Sequence, residues 1–76
     1  MNIRVKFFGA LTELTGASEI SLRAESTDDC VQLLLSRYPL LKDQTYALAL
    51  NASLIKENHR MQEGDVLALL PPFSGG

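Results

Sequence analysis

Glu63-Gly64-Asp65-Val66-Leu67-Ala68-Leu69-Leu70-Pro71-Pro72 decides the fold of this 76-residue chain. Glu63-Gly64-Asp65 is a turn, the next five residues are all apolar, and two prolines close the run. A strand with one face in water alternates apolar and polar residues, whereas a central strand beside a parallel neighbour is apolar at every position. Strand period puts Leu67 and Leu69 on one face and Val66, Ala68 and Leu70 on the other. Leu67 and Leu69 are expected to face a helix. Leu70 then lies on the helix-free face, at the root of the tail.

Working outward, Ile3-Arg4-Val5-Lys6-Phe7 alternates as a half-buried strand does, and Phe8-Gly9 breaks the pattern. Leu11 and Leu14 sit at helical spacing before Gly16, which predicts a short helix over residues 10–15 with a glycine stop. Glu19-Ile20-Ser21-Leu22-Arg23 alternates again, a second strand able to pair with the first. Ser26-Thr27-Asp28-Asp29 starts a helix, with a hydroxyl cap and two carboxylates where the macrodipole favours them. Val31, Leu34, Leu35 and Tyr38 form its predicted apolar stripe, and Pro39 ends it. Residues 46–51 read as a third strand, Ser53-Leu54-Ile55 as a short fourth, and residues 65–70 as the last. The expected class is α+β, a mixed sheet of about five strands with one principal helix packed across one face, the order of the ubiquitin-like β-grasp fold. The first and last strands become central parallel neighbours. Residues 1–76 are expected to be one domain, with 71–76 an extended functional tail.

That tail, Pro71-Pro72-Phe73-Ser74-Gly75-Gly76, spans roughly 20 Å at about 3.4 Å per residue when extended. The prolines bias the backbone toward extended conformations, and the glycines carry no Cβ to shield the carboxyl from attack. A frayed end or a linker remnant would also read Ser-Gly-Gly, but it would be polar, and this one follows an apolar run directly and carries Phe73. Phe8, Leu54 and Leu70 are either core or an apolar patch beside the tail root; such a patch marks a partner surface.

Composition narrows the function further. A net charge of −2 and a pI near 5.2, with Lys and Arg scattered along the chain, argue against nucleic-acid or anionic-membrane binding. One cysteine excludes an internal disulfide and a cysteine-based zinc cluster; with no signal peptide or long apolar stretch, it points to the cytoplasm. No Ser/His/Asp set, phosphate loop or metal-ligand cluster is present, so catalytic groups are expected from partners and no cofactor from this chain. Cys30, in the first turn of the long helix, is a packing residue or a thiol activated by the dipole, and packing is the better reading without a matching His. His59 reads as a solvated loop histidine, Asp28 and Asp29 as helix-terminal charges, and Lys56 and Arg60 as a solvated turn or a dock for an acidic partner.

Three segments carry a family resemblance along the whole chain: Phe7-Phe8-Gly9-Ala10-Leu11-Thr12-Glu13-Leu14-Thr15-Gly16, Glu63-Gly64-Asp65-Val66 and Pro71-Pro72-Phe73-Ser74-Gly75-Gly76. They resemble the small subunit of molybdopterin synthase. The resemblance implies a sulfur carrier whose Gly76 carboxylate is adenylated with ATP by an activating enzyme and converted to a thiocarboxylate using a sulfur donor. The sulfur is then delivered, in a heterotetramer with the large subunit, to cyclic pyranopterin monophosphate during molybdenum cofactor biosynthesis. It assigns the sulfur to Gly76, access to Gly75, and partner contact to Phe8, Leu54, Leu70 and Phe73. Sulfur carriage for thiamine or another thio-metabolite, and ubiquitin-like conjugation to a lysine, are the alternatives sharing Gly-Gly.

Overall fold

The computed structural model describes residues 1–72, so Phe73, Ser74, Gly75 and Gly76 lie outside the described residues. The strands are β1 (Asn2–Phe7), β2 (Glu19–Arg23), β3 (Ala47–Leu50), β4 (Ser53–Ile55) and β5 (Val66–Leu70). The helices are α1 (Ala10–Thr15) and α2 (Thr27–Arg37), and a 3-10 segment covers Pro39–Asp43. One sheet holds all five strands in the order β2-β1-β5-β3-β4. β1 and β5 run parallel and all other pairs are antiparallel, which fulfils the central parallel pairing read from the sequence.

Register explains the core. Val5 pairs with Leu67 and Phe7 with Leu69 across the parallel ladder, Leu50 and Leu48 continue those two rows on β3, and all point toward α2. Val5, Leu67 and Leu69 are completely buried. Each such side chain stabilises the fold by about 1.5–3 kcal/mol relative to exposure. Leu67 and Leu69 thus take the face expected of them. The edge of Phe7 meets the ring of Tyr38, with centroids 5.8 Å apart, and the Arg37 guanidinium lies over that same tyrosine.

The Ser26 hydroxyl caps α2 by accepting from the Asp29 amide at 3.1 Å, and the Asp29 carboxylate accepts in return from the Glu25 amide. A second clamp was not legible in the sequence. Asn58 Oδ1 accepts from both the Thr27 hydroxyl and the Asp28 amide, while Thr27 Oγ1 accepts from the His59 amide. The apolar stripe of α2 also differs from expectation. Thr27, Cys30 and Leu34 are its buried residues, with Val31, Leu35 and Tyr38 at the half-buried margins. The helix is rotated toward its N-terminal clamp, because the polar Thr27 is satisfied there and can be buried. Pro39 ends α2 and begins the 3-10 segment, whose Leu41 adds to the core.

β3 is shorter than predicted because Asn51 leaves the strand at φ 49°, followed by Ala52 at φ 72°. Two left-handed residues match the right-handed twist of a hairpin. Asn51 holds its side by donating from its amide to the Val66 carbonyl and accepting from the Val66 amide through Oδ1. Ala52 has no such compensation and keeps its Cβ in a region that favours glycine. Ala52→Gly is therefore expected to stabilise the domain by about 0.5–1 kcal/mol, read as a higher urea midpoint at unchanged slope.

Candidate functional face and tail root

The helix-free side of the sheet is built by the same registers. Ala68 lies between Lys6 on β1 and Ala49 on β3, and Ala49 pairs in turn with Leu54 on β4. One row further on, Leu70 pairs with Ala47, and Phe8 follows the paired Phe7 on the neighbouring strand. Phe8 is 43% exposed and Leu54 66% exposed, while Leu70 is half-buried. The structure thus brings all three sequence-predicted residues to one face. It also supplies what sequence reading missed: Ala47, Ala49 and Ala68 form a shallow floor between Leu54 and the Phe8–Leu70 end. Their signal was the alternation Ala47-Leu48-Ala49-Leu50, which puts leucine toward the core and alanine outward.

The tail leaves this face at a fixed point. Gly9 joins β1 to α1 with φ 59° and ψ −139°, backbone angles reserved in practice for glycine. A Cβ added there would lie 3.0 Å from Cγ of Pro71, so the bare α-carbon lets the tail root sit against the β1–α1 junction. The Phe8 amide donates to the Leu69 carbonyl and the Thr12 hydroxyl to the Phe7 carbonyl, which hold that junction in place. Gly75, Gly76 and Phe73, the remaining predicted site residues, lie outside the described residues.

The other candidates take structural roles. Cys30 is completely buried, and burial, followed by the neighbouring Asp29 charge, pushes its thiol up to about 12. The helix dipole does not activate it; it is a packing residue. Asp29 serves the α2 N-terminus through its hydrogen bond to Glu25, and His59 is exposed. Lys56 and Arg60 are exposed as well, and Arg60 bridges to Ser26 through the backbone. No group of three or more potential metal ligands occurs among the described residues. No helix among them is long and apolar enough to cross a membrane.

A mixed five-stranded sheet crossed by one long helix, with its end strands β2 and β4 separated by the central parallel pair, defines a ubiquitin-like β-grasp domain. The model of the ThiS family matches residues 5–76, and the chain belongs to that family. It is 33% identical over 81 aligned residues to the molybdopterin synthase sulfur carrier subunit of Arabidopsis thaliana, covering all of this chain and 84% of that one. A chain of the protein–protein complex of subunits 1 and 2 of the molybdopterin-converting factor from Helicobacter pylori 26695 is 32% identical, with a TM-score of 0.77 over the full length of both. SAMP1 from Haloferax volcanii superposes with a TM-score of 0.85 over both full lengths at 22% identity, a likeness of fold. The family read from the sequence and the family found by comparison agree.

Two outcomes follow from this geometry. Gly9→Ala is expected to lower stability by about 1–3 kcal/mol through backbone strain and the contact with Pro71. Pro71→Ala in the Gly9→Ala background should recover the contact part of the loss, measured as a coupling energy in a double-mutant cycle of urea unfolding. Cys30 keeps its proton in the folded protein up to about 12, whereas its ordinary value is 9.0. The unfolded chain therefore releases that proton first, and stability falls as pH rises from 9 toward 12, by at most about 1.4 kcal/mol per pH unit. Cys30→Ala should flatten the slope in urea titrations across that window; Tyr46, also raised by burial, is common to both chains.

Proposed function

We propose that this chain is the sulfur-donating subunit of a molybdopterin synthase and carries sulfur as a thiocarboxylate on Gly76. The observation that carries this reading is the apolar lane from Leu54 to Phe8 and Leu70, which ends where Pro71 rests on Gly9 and the tail departs. A carrier needs a surface for partners and a reactive end that reaches past it, and here the surface adjoins Pro71, five residues before Gly76. Membership of the ThiS family and the 33% identity to a named sulfur carrier subunit support the same assignment.

The chemistry follows from the carboxylate. A free carboxylate is a poor electrophile. An activating enzyme joins it to the α-phosphate of ATP with release of pyrophosphate, which makes AMP the leaving group. A donor's sulfur nucleophile then attacks the acyl carbon, and AMP departs. Hydrosulfide gives the Gly76 thiocarboxylate directly, whereas a persulfide donor leaves an acyl disulfide whose S–S bond a second thiol cleaves, that thiol ending as a disulfide with the donor. Gly75 leaves the approach unobstructed. In the heterotetramer the large subunit receives the tail and supplies acid–base groups while the sulfur is transferred to cyclic pyranopterin monophosphate. Two such transfers build the dithiolene. Phe8, Leu54, Leu70 and Phe73 are the proposed partner contacts, and the rings of Pro71 and Pro72 restrict the backbone at the root of the tail.

Intact-mass measurement tests the reading. The chain incubated with ATP, its activating enzyme and a sulfide source is expected to gain the mass difference between sulfur and oxygen, and a chain lacking Gly76 is expected to gain nothing. An unchanged mass with a demonstrably active enzyme would overturn it. A covalent adduct heavier by a whole protein would replace it with conjugation.

A further inference from the structure

The apolar lane has a charged border along β1 and β2. On the helix-free face β1 and β2 present Arg4, Lys6 and Arg23 against Glu19, and the Glu63 carboxylate, whose pKa is lowered chiefly by accepting from the Asn2 amide, lies close enough to Arg23 for that charge to help lower it. The chain has seven Lys and Arg and nine Asp and Glu, so four cations and seven carboxylates remain for the rest of the molecule. A protein of net charge −2 thus carries a surplus of one positive charge along this border and a deficit of three elsewhere. Neutralisation within the face is weak. Arg4 and Glu19 approach to 3.8 Å, but their side chains are 64% and 42% exposed, and solvent screens such a pair. Lys6 shares its row with Ala68, Ala49 and Leu54, and Arg4 pairs with Val66, so the cations adjoin the apolar floor directly.

We infer that this face selects a protein partner whose apolar ridge is flanked, on the side that meets β1 and β2, by carboxylates. This deepens the proposed function and rests on it, the partner being the large subunit. Arg4 and Lys6 beside an apolar lane suit a protein: phosphates would leave the lane uncovered, and an acidic rim satisfies the border while a ridge fills the floor. The opposite charge of the remaining surface adds direction, since an acidic partner is attracted to this face and repelled by the others. Such an arrangement acts on the rate of encounter more than on the lifetime of the complex.

Stopped-flow association of the full chain with the large subunit of its own source, at about 20 mM and about 500 mM salt, tests the inference. Reversing Arg4→Glu with Lys6→Glu is expected to slow association on the order of tenfold at low salt and much less at high salt, with dissociation nearly unchanged. Arg37→Glu with Arg60→Glu changes the net charge equally but off this face, and should stay within about twofold of the original rate. Arg4→Gln with Lys6→Gln, which puts no carboxylate beside Glu19, is expected to lie between the two, and thermal melting by circular dichroism checks that each variant is folded. Equal slowing by the two reversed pairs, or none by the first, overturns the inference. If Phe8→Asp still abolishes binding in that case, the proposed function stands and only the charged border has failed. A wild-type chain that does not bind the large subunit overturns both.

Discussion

The parallel ladder between β1 and β5 is the constraint on which the rest of the molecule depends. It joins the first strand of the chain to the last, so everything between them must return the chain to where it began. Because parallel neighbours cannot be joined by a tight hairpin, α2 serves within that long connection and covers one face of the sheet. Val5 and Leu67, paired across the ladder, are both completely buried, and Phe7 and Leu69 repeat the arrangement one row on. The entropy of closing so long a loop is offset by the apolar surface those rows remove from water.

The same ladder places the candidate functional face. Any side chain one residue out of phase with the buried rows points away from α2, and no element of the described chain covers that side. Lys6, Ala68, Ala49 and Leu54 therefore line up across four strands, while Phe8 and Leu70 close the lane at the end where the chain leaves the sheet. Leaving Phe8 and Leu54 exposed costs the isolated domain burial that a partner can recover. Gly9 fixes the exit, since only a residue without Cβ accommodates both its backbone angles and Pro71.

Much of this was legible in local pattern. The alternation in Ile3-Arg4-Val5-Lys6-Phe7, the Ser26 cap, the Gly16 stop and the all-apolar run from Val66 to Leu70 each produced the element expected of them. What failed was decided by distant partners. Val31 yielded its place in the helix core to Thr27, because burying a threonine depends on Asn58 and His59, more than thirty positions away. Asn51 left its strand because a side-chain bond to the Val66 backbone fixes the hairpin there. Cys30, read from the sequence as a packing residue for want of a matching His, is one: it is completely buried, and burial raises its thiol.

By itself the sequence determined the class of fold, the order of elements, the inward leucines of β5 and the family, because hydrophobic period and turn chemistry act over a few residues and the family's motifs are local. Which outward residues become neighbours was decided only by the tertiary structure. Whether Phe8, Leu70 and Leu54 were core or one outward patch was open in the sequence; register, a property of pairs of strands, puts them on one face, with the alanine floor between Leu54 and the other two. The same holds for the placing of Arg4 beside Val66 and of Lys6 beside Ala68 in a chain of net negative charge. Scattered charges acquire a direction only once a sheet has sorted them onto its two faces.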